Sequence, residues 1–105
     1  MKEVTVQELK KLMDEGANFQ LIDVREPNEY EIANIGGELI PMGEVPAHLE
    51  KIAKDKMVIM HCRSGGRSGN IIQWLEQNAG FDNLYNLKGG ITAWSDQIDA
   101  SITKY

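Results

Sequence analysis

The chain has 105 residues, 42% of them hydrophobic and 26% charged, with a formal net charge of −5. That length supports one core and not two, so a single domain over residues 1–105 is expected. The acidic balance argues against nucleic acid and anionic membrane surfaces as partners, and no apolar run approaches the roughly 20 residues that span a bilayer.

In chain order, Met1-Lys2-Glu3-Val4 lacks the apolar core of a signal peptide. Thr5-Val6-Gln7-Glu8 matches a capping box, and the helix it starts carries Val6, Leu9, Leu12 and Met13 on one face and stops at Gly16. Phe19 to Val24 reads as a buried strand. Pro27 suits the first turn of a short helix running through Tyr30 and Ile32. Leu39-Ile40 is a weak strand ending at Pro41, followed by a short helix from Glu44 to Ile52. Lys56 to His61 is the clearest strand. Beyond it Ile71, Ile72, Trp74 and Leu75 recur at helical spacing up to Gly80. Asn83 to Leu87 alternates like a strand, and Gly89-Gly90 turns into a last helix carrying Ile91 and Trp94. Strands alternating with helices through short connections imply parallel β-α units, hence an α/β fold with helices on both faces of the sheet. Ligands in such folds bind at the carboxyl ends of the strands.

Cys62 stands at one of those ends. It is the only cysteine, so no internal disulfide can form, and no Cys/His cluster has zinc-ligand spacing, so no metal is expected. A reducing cytoplasm is the simplest setting. Cys62 opens the run Cys62-Arg63-Ser64-Gly65-Gly66-Arg67-Ser68, which core packing alone does not call for. Gly65 and Gly66 admit positive φ and close backbone approach, so successive N–H groups can turn inward as an anion nest. Loop amides, the following helix N-terminus and the guanidinium groups of Arg63 and Arg67 could converge on one thiolate. A free thiol of pKa ~8.5 is only about 3% ionised at pH 7, and a two-unit shift takes roughly 2.7 kcal/mol. One cation at about 4 Å contributes on the order of 4 kcal/mol at an effective dielectric near 20, so no histidine base is required. This reading needs the sulfur ionised at neutral pH and open to water.

With these residues in view, the chain resembles a single-domain rhodanese, a thiosulfate or persulfide sulfurtransferase. Asp23-Val24-Arg25-Glu26 with Glu29-Tyr30-Glu31 resembles the family's early motif. The Cys62–Ser68 run resembles its catalytic loop, and Gly80-Phe81, Leu87-Lys88-Gly89-Gly90-Ile91 and Trp94 resemble its C-terminal signature. One departure is Asn34-Ile35-Gly36-Gly37-Glu38, where the family usually has a His-Ile-Pro-Gly-Ala-like run. The resemblance implies a small central parallel sheet of about five strands. It also implies that Cys62 attacks a donor's outer sulfur, becomes a persulfide and is discharged by a thiol or cyanide acceptor, in ping-pong fashion and without a cofactor. Amides from Arg63 to Arg67 would hold the persulfide, with the Ser64 and Ser68 hydroxyls as further donors. Arg63 and Arg67 would attract an anionic donor such as thiosulfate, unless one of them, Arg63 in particular, turns outward into a salt bridge.

Two other readings are weighed. Cysteine phosphatases use a thiolate and an arginine around an anion loop, but with five residues between them. Four separate Cys62 from Arg67, a tighter ring that suits a terminal sulfur better than a phosphoryl group with three oxygens. Rhodanese-like modules also serve as partner-binding domains, and a carrier that passes persulfide sulfur to another protein lies between the classes. Among supporting residues, Asp23 is expected to satisfy backbone donors beside the pocket, and Arg25 to pair with Glu29 or Glu31. His61 alternates away from Cys62 and reads as packing. His48 is read as solvated, Trp74 and Trp94 as packing anchors, and Tyr30 as core with its hydroxyl outward. The Gln97–Tyr105 tail carries no functional signal.

Overall fold

The computed structural model describes residues 1–105. Five parallel strands form one sheet in the order β1-β5-β4-β2-β3: Glu3–Val4 (β1), Phe19–Asp23 (β2), Glu38–Leu39 (β3), Met57–His61 (β4) and Leu84–Leu87 (β5). The α/β class and the parallel sheet are as expected. Four strands match the sequence runs, β3 lying one residue earlier than expected. The fifth, β1, is two residues long, too short for any periodicity to mark it.

The helices start where local chemistry dictates. Thr5 Oγ1 accepts from the Glu8 amide at 3.1 Å, and Glu8 returns the bond to the Thr5 amide at 2.9 Å, opening α1 (Val6–Asp14). Pro27 occupies the first turn of α2 (Pro27–Ile32). Helix α3 spans Gly66–Asn78 and α4 spans Gly90–Gln97. The stretch expected as a helix from Glu44 to Ile52 is instead two 3-10 turns, Met42–Ala47 and Leu49–Lys51. Pro46 lies inside the first, where it has no amide to donate and its ring excludes an α-helical neighbour. Gly36, at φ 84°, turns the Asn34–Glu38 run, its amide bonded to Asn34 Oδ1 at 3.0 Å.

Side chains alternating along β4 divide the core in two. Val58, Met60 and Cys62 join Ile71, Ile72 and Leu75 of α3 on one face, while Ile59 joins Leu9 of α1 and Trp94 of α4 on the other. Trp94 is buried as expected, but Trp74 is 39% exposed, because it falls to one side of the buried Ser68, Ile71, Ile72, Leu75 stripe of α3. No helix is long and apolar enough to cross a membrane.

The strand order reverses between β2 and β4. From β2 the chain steps outward to β3, then crosses back to β4 and continues to β5. The carboxyl ends of β2 and β4 therefore flank the crevice where this architecture leaves room for a ligand. Asp23 ends one strand, and Cys62 follows the other.

Candidate active site

Cys62 leaves β4 into a three-residue turn before α3 begins at Gly66. Gly65 takes φ 112° and ψ −10°, a left-handed conformation that strains any residue with a Cβ. Gly66 has no positive φ and is simply the first helical residue, so only one of the two glycines serves the turn. The turn folds back over the sulfur. The Gly65 amide donates to Cys62 Sγ at 3.1 Å and the Ser68 amide at 3.5 Å, and Ser68 Oγ lies 3.4 Å away. Burial pushes the thiol pKa up. The Ser68 hydroxyl and amide, together with the Gly65 and Ser64 amides, pull it down by more, and the net shift is downward. The Ser64 side chain is exposed and adds no hydrogen bond of its own.

Neither guanidinium hydrogen-bonds the sulfur, although the Arg67 charge stands near enough to interact with a Cys62 thiolate. Arg67 forms a forked ion pair with Glu29, Nη1 to Oε1 at 2.7 Å and Nη2 to Oε2 at 2.9 Å. Arg63 lies over the ring of Tyr105, 4.9 Å from its centroid, and makes no salt bridge. The outward-facing arginine in an ion pair is thus Arg67, and Arg63 is held by an aromatic face. The Arg67 guanidinium drives the Glu29 carboxyl down to about 2, with the Tyr105 hydroxyl and the Glu26 amide assisting against burial.

Behind the loop, Arg25 is fully buried and pairs with Asp23, Nη2 to Oδ2 at 2.7 Å and Nε to Oδ1 at 2.9 Å. Asp23 also accepts the Arg25 amide at 3.0 Å, so it satisfies a backbone donor as expected. The expected pairing of Arg25 with the Glu29 or Glu31 carboxylate does not occur, because Asp23 stands two residues away at the end of the same strand. Glu29 offers Arg25 only its carbonyl oxygen, at 3.4 Å. The Tyr105 hydroxyl joins the two ion pairs, accepting from Arg25 Nη1 at 2.9 Å and donating to Glu29 Oε2 at 2.7 Å. The tail without a functional signal therefore places its last residue beside the cysteine loop. The Tyr30 hydroxyl, expected outward, donates to the Gly37 carbonyl at 3.2 Å.

Asn86 of β5 escapes sequence reasoning altogether. Its Nδ2 donates to the Gly65 carbonyl at 3.0 Å, and its Oδ1 accepts from Ser68 Oγ at 2.6 Å. A buried amide in an otherwise apolar strand was the available signal, since such a group must find partners. His61 is fully buried, Nδ1 3.3 Å from the Cys62 carbonyl oxygen and Nε2 without a hydrogen bond. Burial lowers its pKa, which suits a neutral packing role. His48 lies in a surface turn 3.5 Å from Glu50. No group of three or more His, Cys, Asp or Glu side chains is placed to hold a metal.

Cys62 is 1% exposed, against the expectation of a sulfur open to water. Two surface cavities lie elsewhere. One is beside Thr5, Lys88 and Gln97 and the other along α1, and neither is lined by the cysteine loop.

A family model of the rhodanese-like domain matches residues 5–97. The chain is 39% identical over 113 residues to a rhodanese-like/PpiC domain-containing protein of Arabidopsis thaliana, covering 100% of this chain and 38% of that protein. It is 36% identical over 98 residues to the putative sulfurtransferase YtwF of Bacillus subtilis, covering 92% of this chain and 93% of that one. A crystal structure of a rhodanese-like domain protein from Staphylococcus aureus superposes with a TM-score of 0.83 at 33% identity, covering 100% and 99% of the two chains. Some curated relatives are much longer, and the chain spans as little as 23% of their length.

Proposed function

The chain belongs to the rhodanese-like domain family, and from that premise we propose that it is a sulfurtransferase working through a persulfide on Cys62. The donor is thiosulfate or a persulfide, the acceptor a thiol, cyanide or a protein thiol. The observation that carries this reading is the pair of amides, Gly65 and Ser68, aimed at one sulfur whose pKa is lowered. The Cys62 thiolate attacks the donor's outer sulfur. A bond forms between the two sulfurs, the donor's S–S bond breaks, and its electron pair leaves with sulfite or with the donor's thiolate. The new terminal sulfur is an anion, and the loop amides that held the thiolate are placed to hold it in turn. An acceptor thiolate then takes that sulfur and regenerates the Cys62 thiolate.

Asp23 and Arg25 act as support in this scheme, fixing the end of β2 beside the loop. Because Cys62 is 1% exposed, a donor reaches it only by displacing a covering group. A lone thiol of this kind works as such only where it stays reduced, which favours the cytoplasm.

The test is mass. Incubation with a persulfide donor should add about 32 Da, one sulfur atom on Cys62, and cyanide or a thiol should remove it. The Cys62→Ser variant should show no gain. A folded protein that gains nothing from any sulfur donor would be a binding module instead.

A further inference from the structure

Asn86 of β5 is 6% exposed and has a hydrogen bond at each end of its amide. Nδ2 donates to the Gly65 carbonyl at 3.0 Å, and Oδ1 accepts from Ser68 Oγ at 2.6 Å. The polarity of this chain of bonds is forced. A carbonyl oxygen only accepts, so the group facing Gly65 must be the amide nitrogen. The group facing Ser68 is then the amide oxygen, which also only accepts, so the hydroxyl hydrogen must point at Asn86. Ser68 Oγ is left with its lone pairs for Cys62 Sγ, 3.4 Å away. It can accept the S–H of the thiol, and it donates to a thiolate only by giving up Asn86.

We propose that Asn86 is a positioning residue that acts on the sulfur through Ser68, holding the hydroxyl hydrogen away from Cys62 and so keeping its thiolate more nucleophilic. The inference rests on the reading of Cys62 as the sulfur-transfer nucleophile. In loading, the Cys62 thiolate attacks the donor. In discharge, an acceptor thiolate attacks the outer sulfur, the S–S bond breaks, and its electron pair returns to Cys62 Sγ. A thiol of lower pKa makes a weaker attacking thiolate and a better leaving one. Asn86 thus tilts the balance between the two half-reactions toward loading.

The test is the thiol pKa, read from alkylation rate against pH in the wild type, Asn86→Leu, Ser68→Ala and the double variant. In Asn86→Leu the Gly65 carbonyl keeps the Gly69 amide at 3.0 Å, and the Ser68 hydroxyl can still turn to that carbonyl at 3.4 Å, so no buried polar group is orphaned. The pKa should fall by about one unit, because the freed hydroxyl donates to the thiolate. In the Ser68→Ala background the same change should leave the pKa where it was, which a merely structural role would not do. The surrounding charged and titratable groups, Arg63, Arg67 with Glu29, Arg25 with Asp23, and His61, are common to all four proteins. Once fully ionised, Asn86→Leu should load from glutathione hydropersulfide about threefold more slowly than the wild type, and discharge faster to dithiothreitol. An unchanged or raised pKa in folded Asn86→Leu, or an equal fall in both backgrounds, would overturn the proposal. The wild type alone gives a second reading. Below the thiol pKa its single S–H stretching band should lie at the low frequency of a thiol bonded to oxygen, and a band at the frequency of an unbonded thiol would equally sink the idea. Both readings follow the proton on sulfur and not sulfur transfer. A protein that passes them yet takes sulfur from no donor therefore refutes the transfer reading and leaves Asn86 its hold on the thiol.

Discussion

Ser68 has one hydroxyl hydrogen and three groups that want it, Asn86 Oδ1 at 2.6 Å, Cys62 Sγ at 3.4 Å and the Gly65 carbonyl oxygen at 3.4 Å. The shortest contact is to Asn86 Oδ1, so in the resting thiol the hydrogen points at Asn86. The backbone amides of Ser68, Gly65 and Ser64 stabilise the ionised sulfur wherever that hydrogen points, beside what the hydroxyl itself supplies. Replacing Ser68 by Ala therefore acts mainly on stability, because it leaves the buried Asn86 Oδ1 without a donor. We expect a loss of about 1–3 kcal/mol in urea unfolding, with a rise of less than about one unit in the thiol pKa read from alkylation rate against pH. A rise of two units or more with little loss of stability would mean that the hydroxyl serves the sulfur directly. The sequence marked Ser68 as a donor but not its partner. Asn86 lies eighteen residues on, in another strand, and no local spacing links the two.

The turn after β4 keeps its shape because α4 holds it from outside. The Ile91 and Thr92 amides, at the start of α4, donate to the carbonyls of Cys62 and Arg63, both at 3.1 Å. Those carbonyls face α4, which leaves the turn free to present amides to the sulfur. The approach is so close that a Cβ on Gly90 would lie 2.5 Å from both carbonyl oxygens, at a residue whose φ is 58°. Gly90→Ala should therefore cost about 2 kcal/mol or more, a fall of roughly 8–16 °C in melting temperature, and should weaken sulfur loading with it. An unchanged melting temperature would show that α4 does not brace the loop. Gly89-Gly90 was legible as the turn into a helix, since glycine punctuation is a local signal. Its contact with the cysteine loop was not, because only the fold brings the two together. The same holds for Tyr105, eighty residues from Arg25 in sequence and bonded to it at 2.9 Å.

Across the whole molecule, the parts read correctly from sequence were those with local causes: the capping box at Thr5, Pro27 at a helix start, and the apolar runs of β2, β4 and β5. Motif order along the chain then fixed the architecture. What sequence could not decide was which charge meets which. In a chain with sixteen acidic and eleven basic side chains, an arginine near the site has many possible partners, and Arg67 found Glu29 while Arg25 found Asp23. That excess of acid also bears on the chemistry. A net charge of −5 favours keeping the proton on any thiol, as does burial of Cys62, so the amide ring must outweigh both for the thiolate to exist near neutral pH. Because the folded thiol pKa is lowered, sulfur loading should rise with pH through that depressed value and level off above it, and fall as pH drops below it.

Cys62 is the only cysteine, so ultraviolet titration of thiolate absorbance in the folded protein, with the Cys62→Ser variant as the blank for the three tyrosines, reads this one group. The account predicts a midpoint clearly below the ~8.5 of a free thiol, returning toward it on unfolding in denaturant. A midpoint at or above that value in the folded state would mean that burial and the surrounding acid outweigh the loop amides, and would contradict the account.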